Sequence, residues 1–108
     1  MREVKAIVRP QRLEHVLAAL QEIAGLPGVT VSKVHAHAGT RPPAPSPQVT
    51  DAETDFAKLE IFVPNSLVAD VVRAITRAAH TGRAGDGIVA VLPVDEFVRI
   101  RDVGAEDS

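Results

Sequence analysis

Thr81-Gly-Arg-Ala-Gly-Asp-Gly87 lies directly after an amphipathic helix-like run and directly before a strand-like run that ends Val91-Leu92-Pro93. Three glycines in seven residues permit positive φ and bring backbone N–H groups close to a bound group. The stretch therefore reads as an anion-holding turn, with phosphate as its natural guest. A purely structural reading explains the same residues: Gly82 caps the helix, and Gly85-Asp86-Gly87 turns tightly into the next strand. Downstream, Arg99-Ile100-Arg101 favours the anion, since two arginines set two apart emerge on one face of a strand.

Working outward from the turn, Ile88 to Leu92 and Val94 to Ile100 read as strand-like pieces. Upstream, Asn65 is read as the N-cap of a helix whose buried stripe is Leu67, Val68, Val71, Val72, Ile75 and Ala78. Before it, Ala57, Leu59, Ile61 and Val63 alternate with Phe56, Lys58, Glu60 and Phe62, the period of a strand. Residues 42–47 carry four prolines in six positions, and polar residues follow as far as Asp55. Residues of about 38–55 are therefore expected to form a long exposed loop. Val29 to about His37 reads as a strand, and Gly25-Leu26-Pro27-Gly28 as a helix-breaking turn. Leu13, Val16, Leu17, Leu20 and Ile23 recur at helical spacing, and Glu3 to Val8 forms a first strand stopped by Arg9-Pro10.

The order strand, helix, strand, strand, helix, strand folds most simply as an α+β domain. It is a ferredoxin-like βαββαβ sandwich, an antiparallel sheet with two helices on one face. Its other face carries Val, Ile and Phe, so the open faces are expected to meet in a symmetric oligomer. At 108 residues the chain is one domain, 1–108. Twelve basic and fourteen acidic residues give no field that would draw in a nucleic-acid backbone, and three phenylalanines without Tyr or Trp offer few stacking platforms. The absence of cysteine points to a reducing compartment. No apolar run approaches membrane-spanning length, and the opening residues lead into a strand and not into a signal peptide, so a cytoplasmic location is expected.

The opening Val4-Lys-Ala-Ile-Val-Arg-Pro10, the long loop, Thr81-Gly-Arg-Ala-Gly-Asp-Gly87 and Val98-Arg-Ile-Arg101 together resemble the PII signal-transduction proteins over nearly the whole chain. The resemblance implies a non-enzymatic regulator that assembles as a homotrimer and binds an adenine nucleotide (ADP, AMP or ATP) in clefts between subunits. It would act on a partner, a membrane transporter, through the long loop, which the family calls the T-loop. Carried over by position, Gly85, Asp86 and Gly87 wrap the phosphates through backbone N–H groups, and Arg99 and Arg101 supply positive charge. Thr30, Ile61, Phe62 and Val63 match the adenine pocket. Bicarbonate or 2-oxoglutarate is implied as a second effector. Ile88 and Phe56 stand where the family usually has phosphate-reaching lysines, and Ala36-His-Ala-Gly-Thr40 replaces Gly-Phe-Gly-Arg-Gln. Those losses favour a less charged ligand, ADP or AMP over ATP. The loop holds no tyrosine, which excludes tyrosine uridylylation there.

His35 and His37, spaced i and i+2, form a second constellation. On a strand they share a face and could hold a divalent metal, with His80, Asp55 or Glu53 as a third ligand. Polar residues at a strand end entering the loop explain them more simply. A PII-like metal-binding protein linked to heavy-metal efflux is thus an alternative, as is a docking module whose nucleotide cleft is vestigial. No Ser–His or Cys–His arrangement that would support catalysis can be assembled.

Overall fold

In the computed structural model, which describes residues 1–37 and 55–103, six regular elements follow the expected order. They are β1 (Arg2–Val8), α1 (Leu13–Gln21), β2 (Thr30–His35), β3 (Asp55–Val63), α2 (Val68–Ala79) and β4 (Gly87–Pro93). The sheet order is β2-β3-β1-β4 and every neighbouring pair is antiparallel, the ferredoxin-like arrangement. The anticipated loop lies almost wholly outside the described residues. Its last expected residue, Asp55, opens β3.

Period-two alternation decides what each strand buries. Val4, Ala6 and Val8 of β1 and Ala57, Leu59, Ile61 and Val63 of β3 form the central floor of the core. Val16 and Leu20 of α1 and Val71, Ile75 and Ala79 of α2 cover that floor. Each wholly buried Val, Leu or Ile contributes about 1.5–3 kcal/mol, enough to make the two helical stripes the main determinant of which sheet face is covered. Pro10 starts the 3-10 turn Pro10–Arg12 that leads into α1, because its fixed φ suits a first helical position.

Three local expectations are corrected. Asn65 is not a helix cap. It opens a 3-10 turn, Asn65–Leu67, and its Oδ1 accepts a hydrogen bond from the N-terminal amine at 3.1 Å. Helix α2 ends at Ala79 with His80 already extended (φ −68°, ψ 127°), so Gly82 does not cap it. Residues 94–99 do not form a strand. The backbone instead enters a 3-10 turn at Ile100–Asp102, closed by Asp102 N–H to Arg99 O at 3.0 Å. A strand needs a neighbour, and in this segment Phe97 packs on Phe62 with ring centroids 5.6 Å apart. Arg99 and Arg101 therefore do not share a strand face.

The open face differs from an apolar sheet. Register places Glu3 between Phe62 and Leu92, Lys5 between Glu60 and Ala90, and Ile7 between Lys58 and Ile88. Ion pairs Lys5–Glu3 (3.9 Å) and Lys58–Glu60 (3.6 Å) occupy its centre. Ile88 and Phe62 remain exposed beside these charges.

Candidate functional site

The turn between α2 and β4 is organised around one carboxylate. Asp86 accepts hydrogen bonds from the Thr81 hydroxyl, from the backbone N–H of Thr81 at 2.8 Å and from that of Gly82 at 3.1 Å. The Arg9 Nε–H donates to Asp86 Oδ1 at 3.2 Å, and Arg9 Nη2 donates to the carbonyl of Ala84 at 2.6 Å. The Thr81 hydroxyl also accepts the N–H of Arg83 at 3.2 Å. These bonds, led by the Thr81 hydroxyl and backbone, hold the Asp86 carboxyl far below its ordinary range, against the opposing effect of burial. Asp86 thus spends its charge inside the turn.

That inward carboxylate shapes the outer surface. Among the described residues, no protein acceptor lies opposite the N–H of Ala84 or Gly85. Gly85 has φ +86°, and a Cβ there would lie 3.3 Å from Arg9 Nη2. Gly87 has φ +121° and crosses β1 so closely that a Cβ would lie 1.9 Å from the carbonyl oxygen of Ile7. Two glycines thus serve different needs: one lets the guanidinium close over the turn, the other lets β4 begin against β1.

Arg9 was not among the sequence candidates. Its contacts span 75 and 77 residues and exist because Val8 pairs with Gly87. The only local signal was an arginine beside the proline that ends β1.

The two arginines expected to share the cleft lie elsewhere in this chain. Arg99 lines a cavity of about 570 Å³ with Met1, Leu26, Pro27, Phe62 and Phe97, and its guanidinium sits 5.9 Å from the Phe97 ring centroid. Arg101 is almost fully exposed, 3.7 Å from Asp102. Phe62 pairs with Glu3 near the start of β1, whereas Gly87 pairs with Val8 at its end. Five residue steps at about 3.4 Å each separate these two regions by roughly 17 Å. Thr30 opens β2 opposite Glu60. Ile61 and Val63 have no exposure and point into the helix-covered core, so of the β3 candidates only Phe62 offers a side chain to the open face. Beside the turn, a smaller cavity of about 130 Å³ is lined by Ile7, Thr76, His80, Asp86, Gly87 and Ile88.

The histidine pair is engaged locally. His35 Nδ1 lies 2.9 Å from Asp55 Oδ1, as the register of β2 against β3 requires, and the His35 and His37 rings meet edge to face at 5.0 Å. His80 lies instead beside Asp86 at 3.8 Å, and Glu53 is outside the described residues. Among the described residues no three potential ligands gather closely enough to hold a metal ion.

Comparison with known proteins adds a wider context. The family model described as Nitrogen regulatory protein P-II matches residues 1–103. A protein of Azospirillum brasilense named Nitrogen regulatory protein P-II is 38% identical over 104 residues, covering 94% of this chain and 92% of its own length. The similarly named protein of Bradyrhizobium diazoefficiens is also 38% identical, with the same coverage. Nitrogen regulatory protein P-II 2 of Methanothermobacter thermautotrophicus is 40% identical, covering 94% of this chain and 90% of its own.

Proposed function

Because the chain belongs to the nitrogen regulatory protein P-II family, we propose that it is a non-enzymatic cytoplasmic sensor that holds an adenine nucleotide between two copies of itself. The observation that carries this reading is the geometry of the turn. Asp86 is drawn inward, and the N–H groups of Ala84 and Gly85 are left without a protein acceptor among the described residues. Adjacent free N–H groups beside the Arg9 guanidinium suit an anion, and a phosphate can take both.

Separation of the turn from the Phe62 and Arg99 cavity gives this reading its oligomeric form. One chain cannot bring groups roughly 17 Å apart onto one small ligand. A head-to-tail contact repeated around a closed ring can, because the turn of one copy then meets the arginines of the next. A homotrimer with three such clefts is the proposed assembly, and its interfaces would cover the open face with Ile88 and Phe62. In that cleft Phe62 would pack on the base and the arginines would pair with phosphate oxygens. Thr30 would lie near the base, and Ile61 and Val63 would contribute backbone only.

Residues 38–54 carry the proposed output, docking on a transporter. Nucleotide in the cleft would favour one arrangement of the loop base near His37, and partner affinity would change by the difference in nucleotide binding between the two arrangements. The pair Ile88 and Phe56 provides no cation, so ADP or AMP is the proposed ligand in preference to ATP. Bicarbonate or 2-oxoglutarate is proposed as the second effector.

Titration calorimetry of the full chain with ATP, ADP and AMP tests the reading. Micromolar binding, weakened at least about tenfold by Arg101→Ala, is expected, because the substitution removes a charge-assisted bond to phosphate. Ile88→Lys should tighten ATP more than AMP. Silence with all three nucleotides would refute the sensor and leave a docking module.

A further inference from the structure

The loop from α1 into β2 separates two hollows. On one side lies the cavity of about 570 Å³ lined by Met1, Phe62, Phe97 and Arg99. On the other lies a groove of about 420 Å³ lined by Leu17, Leu20, Gln21, Ile23 and Val29. Leu26 and Pro27 line both, so these two half-buried side chains form the partition between them.

The partition is built to move as one piece. Proline fixes its own φ and disfavours the helical conformation of the residue before it, so Leu26-Pro27 is a stiff dipeptide. Gly25 and Gly28 flank it, and glycine has the backbone that turns most freely. A Cβ on either glycine would meet nothing within 4 Å, so no neighbour blocks rotation at either end. Among the described residues no backbone hydrogen bond holds residues 25–28. The chain on each side is tied down, by the Ile23 N–H to the Leu20 carbonyl at 3.1 Å before the wall and by the pairing of Thr30 with Glu60 after it. A segment anchored at both ends, and held between them only by the packing of two side chains, is displaced at small cost.

We propose that Leu26-Pro27 is a movable wall that trades volume between the two hollows. Displaced toward Leu17 and Ile23, it widens the cavity beside Phe62. Displaced the other way, it narrows that cavity and opens the groove. Leu26 leaves one apolar lining as it meets the other, which keeps the two positions close in energy. The consequence for ligand binding rests on the nucleotide cleft proposed above, whereas the motion itself does not. A base entering beside Phe62 selects the wide position, and bulk in the groove opposes it, each by its differential stabilisation of the two positions.

The test is methyl relaxation dispersion at Leu26 in the full chain without ligand, for the native protein and for Leu17→Phe, followed by titration calorimetry of both with ADP and AMP. Leu17→Phe adds bulk to the groove and none to the cavity beside Phe62. Microsecond-to-millisecond exchange is expected at the Leu26 methyls of the native chain and should be lost in Leu17→Phe. ADP and AMP should weaken by the same factor, about fivefold or more, because the wall borders the base and not the phosphates. Gly28→Ala serves as the second variant: with no neighbour at that position the fold is kept, and a restricted hinge should slow the exchange at Leu26. The inference is overturned by a flat dispersion profile at Leu26 in the native chain, by exchange unchanged in both variants, or by ADP binding as tightly to folded Leu17→Phe as to the native chain. If the native chain bound no nucleotide, the sensor would be refuted, and the wall would stand or fall on the dispersion measurements.

Discussion

Replacing Gly87 with alanine should be among the most damaging single-methyl changes in this protein. Two costs add at that position. A side chain at φ +121° is strained by about 1–2 kcal/mol. Its Cβ would also lie 1.9 Å from the Ile7 carbonyl oxygen and 2.9 Å from the Ile7 carbonyl carbon. Both atoms are backbone, so no rotamer change relieves the contact and β4 must move off β1. Displacements of this kind cost about 1–3 kcal/mol. Together they amount to about 2–5 kcal/mol, a large part of the ~5–15 kcal/mol that holds an ordinary domain folded. At about 4 °C per kcal/mol for a chain of this size, melting should fall by roughly 8–20 °C. Two other glycines separate the causes. A Cβ on Gly25, at φ +80°, would meet nothing within 4 Å, so Gly25→Ala should cost only the strain, about 1–2 kcal/mol. Gly28 has neither strain nor neighbours, and Gly28→Ala should stay within about 0.5 kcal/mol. Urea and thermal unfolding of the three variants at one fixed protein concentration provide the comparison, since any assembly makes melting concentration-dependent. If Gly87→Ala lost no more stability than Gly25→Ala, the close approach of β4 to β1 would be wrong.

Other expectations follow from the same contacts. Asp86 is held below its ordinary value of 3.8, so the unfolded chain binds its proton first as pH falls. Its stabilising contribution is therefore complete above that value and is lost as pH drops through the lower folded value. The melting-temperature gap between the native chain and Asp86→Asn should be constant near neutrality and shrink in strong acid; a gap that grows in acid would contradict the assignment. Arg9→Lys keeps the charge but loses the fork that joins Asp86 to the Ala84 carbonyl. It should cost about 1 kcal/mol and speed hydrogen exchange at Thr81 and Gly82, and unchanged exchange there would count against the latch. If nucleotide is held between copies, mixing Arg101→Ala chains with Gly85→Ala chains should restore binding in about one quarter of the clefts of random mixed trimers. Calorimetry showing no recovery would place both groups on one chain.

Much of the fold was legible because it rests on local periodicity. The alternation of residues 56–63 separated Ala57, Leu59, Ile61 and Val63, which the fold buries, from Phe56, Lys58, Glu60 and Phe62, and the helical spacing picked out Val16, Leu20, Val71 and Ile75. Where several local signals compete, reading from sequence failed. Asn65 has the chemistry of a cap, but Pro64 and a 3-10 turn carry the chain into α2, while the amide binds the N-terminal amine. Residues 94–100 have strand-forming composition, but composition cannot supply a neighbouring strand, and Phe97 takes Phe62 instead.

The turn shows the same division within seven residues. Sequence alone established that Thr81–Gly87 bends sharply between a helix and a strand, since glycine spacing and flanking periodicity are properties of neighbouring residues. It also established which residue types were present to meet an anion. Only the tertiary structure decided that Asp86 faces inward, that Arg9 closes over Gly85, and that Arg99 lies at the far end of β1. Those facts depend on the register of β1 against β4, a contact between segments almost eighty residues apart. Register is set by burying Val4, Ala6 and Val8 together with the whole helix-facing floor, so it is a property of the packed sheet and is written in no single stretch of chain.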